Sequence, residues 1–106
     1  MTMSNCNEFC PVARANDVLG GKWTTLIIRD LLPGKKRYSE LQRSLVGISP
    51  RMLAQRLAKL EGAGLIVKTI YPTVPPKTEY ELSNIGRKAE NIIAAMAEFG
   101  ATLGEG

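Results

Sequence analysis

Tyr38-Ser39-Glu40-Leu41-Gln42-Arg43-Ser44-Leu45-Val46-Gly47-Ile48-Ser49-Pro50-Arg51-Met52-Leu53-Ala54-Gln55-Arg56-Leu57-Ala58-Lys59-Leu60 reads as two helices and the turn between them. In the first, Ser39 lies near the start and Leu41 and Leu45 face inward one turn apart. Gly47 gives the chain a tight turn. The second helix has a strong start, because the Ser49 hydroxyl accepts from free backbone N–H groups while Pro50 presets the first turn. Leu53, Leu57 and Leu60 then fall at i, i+4 and i+7 on one face, which leaves Arg51, Gln55, Arg56 and Lys59 on the other.

Downstream, beyond Gly62-Ala63-Gly64, the run Leu65 to Tyr71 is rich in β-branched residues and predicts a strand, as does Thr78 to Leu82. The tip between them, Tyr71-Pro72-Thr73-Val74-Pro75-Pro76-Lys77, cannot extend a ladder and is suited to project stiffly. Upstream, Pro11 suits the first turn of a short helix that Gly20-Gly21 ends. A second helix is expected from about Lys22 to Leu32, with Trp23, Ile27 and Leu31 on one face and Pro33-Gly34 as its stop. Trp23 is read as core, the alternative being that Lys22-Trp23 sets the helix start beside a phosphate. Lys35-Lys36-Arg37 reads as a basic loop. A last helix begins at Ser83 or Asn84. Helix, turn, helix and proline-tipped hairpin in this order outline an α+β winged helix-turn-helix with extra N- and C-terminal helices.

A length of 106 residues is one domain, 1–106, with residues 1–9 read as a flexible lead. So small a domain buries a thin core unless a partner adds surface. The composition, 44% hydrophobic and 23% charged, is that of a folded globular chain. No run approaches the roughly 18 apolar residues of a membrane span, and the first ten residues lack a signal-peptide pattern, so the cytoplasm is the expected location. Enzyme chemistry is disfavoured. With no histidine in the chain, Ser-His-Asp and Cys-His constellations are excluded, and two cysteines alone do not complete a structural zinc site. Neither a phosphate-loop spacing nor G-x-G-x-x-G occurs. No cofactor and no metal are expected.

Charge placement points to a partner. From Lys35 to Lys68 eight basic side chains face two acidic ones, a local net charge of +6 in a chain whose total is +4. Such asymmetry suits a phosphate-binding face, although a basic surface that is merely solvated has the same pattern. On the exposed side of the second helix, Arg binds guanine O6 and N7 as a fork and Gln does the same for adenine, the chemistry of a helix in the major groove of double-stranded DNA. Arg51 and Gln55 are the choices for base contact. Ser39 and Ser49 suit phosphates, which orient a protein without reading sequence. Lys68 and Lys77 on the hairpin either meet the backbone or minor groove or remain solvated. The full set of candidate DNA-binding residues is Ser39, Arg43, Ser49, Pro50, Arg51, Gln55, Arg56, Lys68 and Lys77. Two competing readings are a winged-helix module that binds protein, for which the basic segment is unnecessary, and a regulator that answers to a non-covalent small ligand.

In the last helix Ile85, Ala89, Ile92, Met96, Phe99 and Leu103 recur at intervals of three and four, an apolar stripe too short for a free coiled coil. It is read as a dimer interface with a second copy of the chain, the alternative being a core face within one chain.

Taken together, Cys10-Pro11, Gly20-Gly21-Lys22-Trp23, Arg37-Tyr38-Ser39-Glu40-Leu41, Gly47-Ile48-Ser49-Pro50-Arg51-Met52-Leu53, Leu60-Glu61-Gly62-Ala63-Gly64-Leu65-Ile66 and Pro75-Pro76-Lys77-Thr78-Glu79-Tyr80-Glu81-Leu82 resemble the HxlR-type family of bacterial transcriptional regulators, from about Cys10 to Phe99. The resemblance implies a MarR-like homodimer joined by its first and last helices, with two recognition helices in successive major grooves of a palindromic operator, half-sites roughly 34 Å apart. It also implies a redox-sensing role for Cys10, since some members sense electrophiles or thiol oxidants through a cysteine directly before a proline near the N-terminus. A helix start favours thiol reactivity, and an intersubunit disulfide or a covalent adduct would be the switch. The alternative for Cys10 is a small buried hydrophobe. Cys6 has no counterpart in the motif, and a Cys6–Cys10 disulfide is disfavoured in a reducing compartment.

Overall fold

The computed structural model describes residues 10–104. In chain order these form α1 (Pro11–Leu19), α2 (Thr24–Leu31), β1 (Lys36–Arg37), α3 (Tyr38–Ser44), α4 (Pro50–Gly62), β2 (Ile66–Tyr71), β3 (Lys77–Leu82), α5 (Asn84–Arg87) and α6 (Glu90–Ala101). The expected lead 1–9, and Cys6 with it, lies outside the described residues.

Helix α4 begins where its sequence dictates. Ser49 Oγ accepts from the Met52 N–H at 3.0 Å, and Pro50 occupies the first helical position. Its inward face, Leu53, Leu57 and Leu60, is buried with Ile27, Ile28 and Leu31 of α2 and with Leu41 of α3. Burying one such aliphatic side chain contributes about 1.5–3 kcal/mol, so this three-helix contact dominates the stability of the helix-turn-helix. Leu45 and Ile48 close the core beneath the turn between α3 and α4.

The hairpin β2–β3 is antiparallel, with Ile66 opposite Leu82 and Tyr71 opposite Lys77. Ile66, Tyr80 and Leu82 turn into the core, and the loop 72–76 carries the prolines beyond the ladder. The loop expected at Lys35-Lys36-Arg37 contains a short strand: Lys36 and Arg37 pair antiparallel with Tyr80 and Glu79, giving a three-stranded sheet ordered β1-β3-β2. This pairing draws the start of α3 against the wing.

Two further expectations are corrected. Helix α2 starts at Thr24, not Lys22, because Trp23 adopts a left-handed conformation (φ 84°). Its half-buried indole still packs on the core, as expected. The last helix is also not continuous from Ser83. Ser83 Oγ caps α5 through the Gly86 N–H, the chain then tightens through Lys88 N–H to Ile85 O and Ala89 N–H to Gly86 O, and α6 restarts with Ile93 N–H to Ala89 O. The break removes Ala89 from the proposed interface stripe, since it is 5% exposed inside the chain's own core.

The rest of that stripe stays outside. Ile85, Ile92, Met96, Phe99 and Leu103 are 41–68% exposed, and α6 contributes no fully buried residue. Ile93 alone of α6 packs partly on the core. The resulting body is elongated, 53 × 36 × 25 Å, with a radius of gyration of 15.4 Å against about 13 Å for a compact domain of this length. Among the described residues no helix is long and apolar enough to cross a membrane.

Candidate nucleic-acid interface

On α4 the solvent side presents Arg51, Ala54, Gln55, Ala58 and Lys59. Arg51 and Gln55 are one turn apart and therefore on one line, with the small Ala54 and Ala58 beside them leaving room for a groove wall. The N-terminal end of this helix is tied to side chains from α3. Tyr38 Oη donates to the Pro50 carbonyl at 3.1 Å, and Gln42 Nε2 donates to the Ile48 carbonyl at 2.8 Å. The core leucines hold the opposite face.

Helix α3 carries an exposed Ser39 in its first turn, and the N–H of Arg37, which precedes the helix, donates to Glu40 Oε1 at 2.7 Å. Because Arg37 is paired into β1, the α3 start and the wing base form one cleft of about 290 Å³ lined by Arg37, Tyr38, Ser39, Pro76, Lys77 and Thr78. Ser39 and Lys77, far apart in sequence, are thus brought together. Lys77 sits 4.8 Å from the Tyr71 ring centroid and 3.9 Å from Glu79 Oε2, while Tyr71 Oη donates to Glu79 Oε1. A surface pair of this length is worth little, about 0–1 kcal/mol, so the ammonium is steered more than it is neutralised. Lys68 is exposed on β2 opposite Tyr80.

Two of the sequence-predicted residues stand differently. Arg43 is exposed but borders a second polar cleft, with Arg29, Asp30, Lys36 and Ser44, where Ser44 Oγ donates to Asp30. Arg56 is engaged inside the chain: its Nε–H donates to the Lys22 carbonyl at 3.0 Å. Arg37, in contrast, was not among the predicted site residues. The basic run Lys35-Lys36-Arg37 was its only signal, and only the pairing with β3 places it in the cleft.

Cys10 is the residue immediately before α1, half-buried and free, and its carbonyl accepts from the Arg14 N–H at 3.0 Å. Exposed Val12 stands on the same helix, and Ala15, Val18 and Leu19 of α1 line an apolar groove with Ile85 and Ile92. The N-terminal helix and the Ile85–Ile92 end of the exposed stripe therefore border one groove.

Comparison with known proteins agrees with this geometry. The model of the HxlR-like helix-turn-helix family matches residues 18–105. YybR of Bacillus subtilis (strain 168), an HTH-type transcriptional regulator, is 42% identical over 93 residues, covering 88% of this chain and 74% of YybR. The crystal structure of a MarR-family transcriptional regulator from Porphyromonas gingivalis W83 superposes with a TM-score of 0.85 at 46% identity, covering 88% of this chain and 91% of that one. The redox regulator HypR in its oxidised form superposes with a TM-score of 0.82 at 41% identity, covering 88% of this chain and 96% of HypR. The winged helix-turn-helix is shared with these regulators. The chain belongs to the HxlR-like helix-turn-helix family, whose members are transcriptional regulators and not enzymes.

Proposed function

We propose that this transcriptional regulator is a homodimer that reads a palindromic operator and answers to electrophiles or thiol oxidation. The observation that carries the reading is the exposed Arg51–Gln55 line on a helix capped at Ser49 and braced from behind, beside a cleft that joins Ser39 to Lys77. Arg51 and Gln55 contact base edges in the major groove. Ser39, Arg37 and Ser49 with Pro50 meet phosphates, Lys68 and Lys77 follow the backbone along the wing, and Arg43 adds to the positive field.

Dimerisation is supported by α6, whose Ile92, Met96 and Phe99 are 41–66% exposed among the described residues. Monomeric proteins rarely leave so contiguous an apolar surface in water. Ile85 and Leu103 extend the same face, and α1 borders it. The two recognition helices of such a dimer fall about one DNA turn apart, roughly 34 Å. Cys10, free at the start of α1, lies on the element that borders the interface, so an adduct or intersubunit disulfide there changes the spacing of the two wings. The likeness to a redox regulator supports this role.

The test is fluorescence anisotropy with duplex from the protein's own upstream region and a scrambled duplex, at two salt concentrations, with and without a thiol oxidant. Preferential, salt-sensitive binding altered by the oxidant is expected. Binding unaffected by oxidant removes Cys10 as a sensor, and absence of binding to either duplex in either state turns the reading to a protein-binding module.

A further inference from the structure

Arg56 lies on the recognition helix, yet its guanidinium Nε–H donates within the chain, to a turn 34 residues upstream. We propose that Arg56 is a positioning residue, which sets the rotation of α4 about its own axis by docking onto the Gly20-Gly21-Lys22-Trp23 turn, and that it does not itself read or bind DNA. The inference rests on α4 being the reading helix.

The turn is built to receive it. Gly21 has φ +88°, a conformation that L side chains rarely adopt, and a Cβ placed there would stand 3.0–3.1 Å from the guanidinium carbon and both terminal nitrogens of Arg56. Three nearly equal distances mean that the planar group lies face-on against the open side of the glycine. At the same time its Nε–H donates to the next carbonyl, that of Lys22. Position 21 is therefore constrained twice, once by backbone and once by Arg56. The turn is itself held, as Thr24 Oγ1 donates to the Gly20 carbonyl at 3.0 Å and the Gly20 N–H to the Asn16 carbonyl at 2.7 Å. Its last residue reaches the turn between α3 and α4, with the Trp23 ring 3.7 Å from where a Cβ at Gly47 would be.

Tyr38 and Gln42 fix only the N-terminal approach of α4, through Pro50 and Ile48. Leu53, Leu57 and Leu60 hold the inward face of α4, and Arg56 adds a contact from its flank to the Gly20–Trp23 turn, away from both the core and the N-terminal end. The tips of helical side chains lie about 5–6 Å from the axis, so a rotation of roughly 10° moves Arg51 and Gln55 by about 1 Å, more than a forked base contact tolerates. Lys carries the same charge as Arg but lacks the planar fork, so the two substitute for each other at a phosphate and not at this turn.

The experiment uses the full chain and a duplex that the wild-type protein selects from a random pool, with a scrambled duplex as control. Wild type, Arg56→Lys, Gly21→Ala and the double variant are titrated by anisotropy across a salt series, and each is checked by circular dichroism melting. Arg56→Lys is expected to weaken selected-duplex binding about tenfold while scrambled binding and the salt slope stay at wild-type values. Gly21→Ala, which alters no charge and no residue of α4, is expected to produce the same loss of discrimination, and the double variant to be no worse than the more affected single one. Wild-type discrimination by Arg56→Lys overturns the proposal, because lysine preserves a phosphate contact and its salt slope but not the docking onto the turn. Additive losses in the double variant, or a lower melting temperature with discrimination intact, also overturn it. Failure of the wild type to enrich any duplex overturns the DNA-reading function and this inference with it.

Discussion

Replacing Arg51 or Gln55 by alanine tests the reading face where its geometry is most explicit. Four residues along a helix rise about 6 Å, and base pairs stack roughly 3.4 Å apart, so the two side chains address positions within about two base pairs of each other. A forked side-chain contact discriminates by about 1–3 kcal/mol, roughly 5- to 150-fold in affinity. On a palindrome both half-sites lose the contact, and the loss doubles to about 2–6 kcal/mol if the half-sites are independent. Both residues are exposed and outside the core, so folding stability should change by no more than about 0.5 kcal/mol. The assay is a competition titration against every single-base variant of the half-site. Arg51→Ala should flatten preference at one position, and Gln55→Ala at another within about two base pairs of it. A uniform loss at all positions, or flattening at positions farther apart, refutes the assignment of this line of α4 to base edges.

Met96→Glu, at a side chain 48% exposed on the uncovered stripe, should give monomers by sizing chromatography with light scattering, and a persisting dimer would move the interface elsewhere. Cys10→Ser should abolish the oxidant response while leaving binding in reductant intact; a retained response would point to Cys6 or to no thiol switch. Burial, followed by the charges of Glu61 and Tyr38, pushes the Tyr80 phenol above its ordinary value. Its neutral form therefore stabilises the fold fully below about pH 10, and that contribution is lost as pH rises through the raised value. Tyr80→Phe should move the midpoint of alkaline unfolding upward, and an unmoved midpoint would assign the alkaline transition to other groups.

What was legible in the sequence was mostly local chemistry. The Ser49-Pro50 start of α4 depends on residues within one turn, and the hydroxyl lies where the pattern places it. The leucine spacing likewise identified the buried face, because helical period and burial are coupled directly. What was not legible includes local breaks, such as Trp23 and the α5–α6 turn, and pairings distant in the chain. Strand β1 is two residues long and exists because Tyr80 and Glu79 lie alongside it, which no local propensity encodes. Ala89 satisfied the apolar interval but fell inside, because α5 and α6 are separated by a tight turn. Arg56 matched the exposed face by period alone, and only the folded chain brings Lys22 to it. The apolar stripe was legible as a pattern, while the groove that joins its Ile85–Ile92 end to α1 emerged from the fold.

The junction between wing and C-terminal helices has a mechanical consequence. Ser83 donates its N–H to the Leu65 carbonyl at 2.9 Å and its hydroxyl to the Gly64 carbonyl at 2.6 Å, and a side chain at Gly86 would collide with that same Leu65 carbonyl. The root of the hairpin and the start of α5 are thus joined by two hydrogen bonds and a close backbone approach at Gly86. Strand β2, six residues at about 3.3 Å each, makes an arm roughly 20 Å long from this junction to the tip. If α5 and α6 pivot by about 5° in the proposed dimer, the tip of a rigid arm sweeps by nearly 2 Å, roughly half the rise between stacked base pairs. The wing behaves as the pointer of a gauge whose spindle is the C-terminal helix, and position 86 admits only glycine because any added atom would bend the spindle.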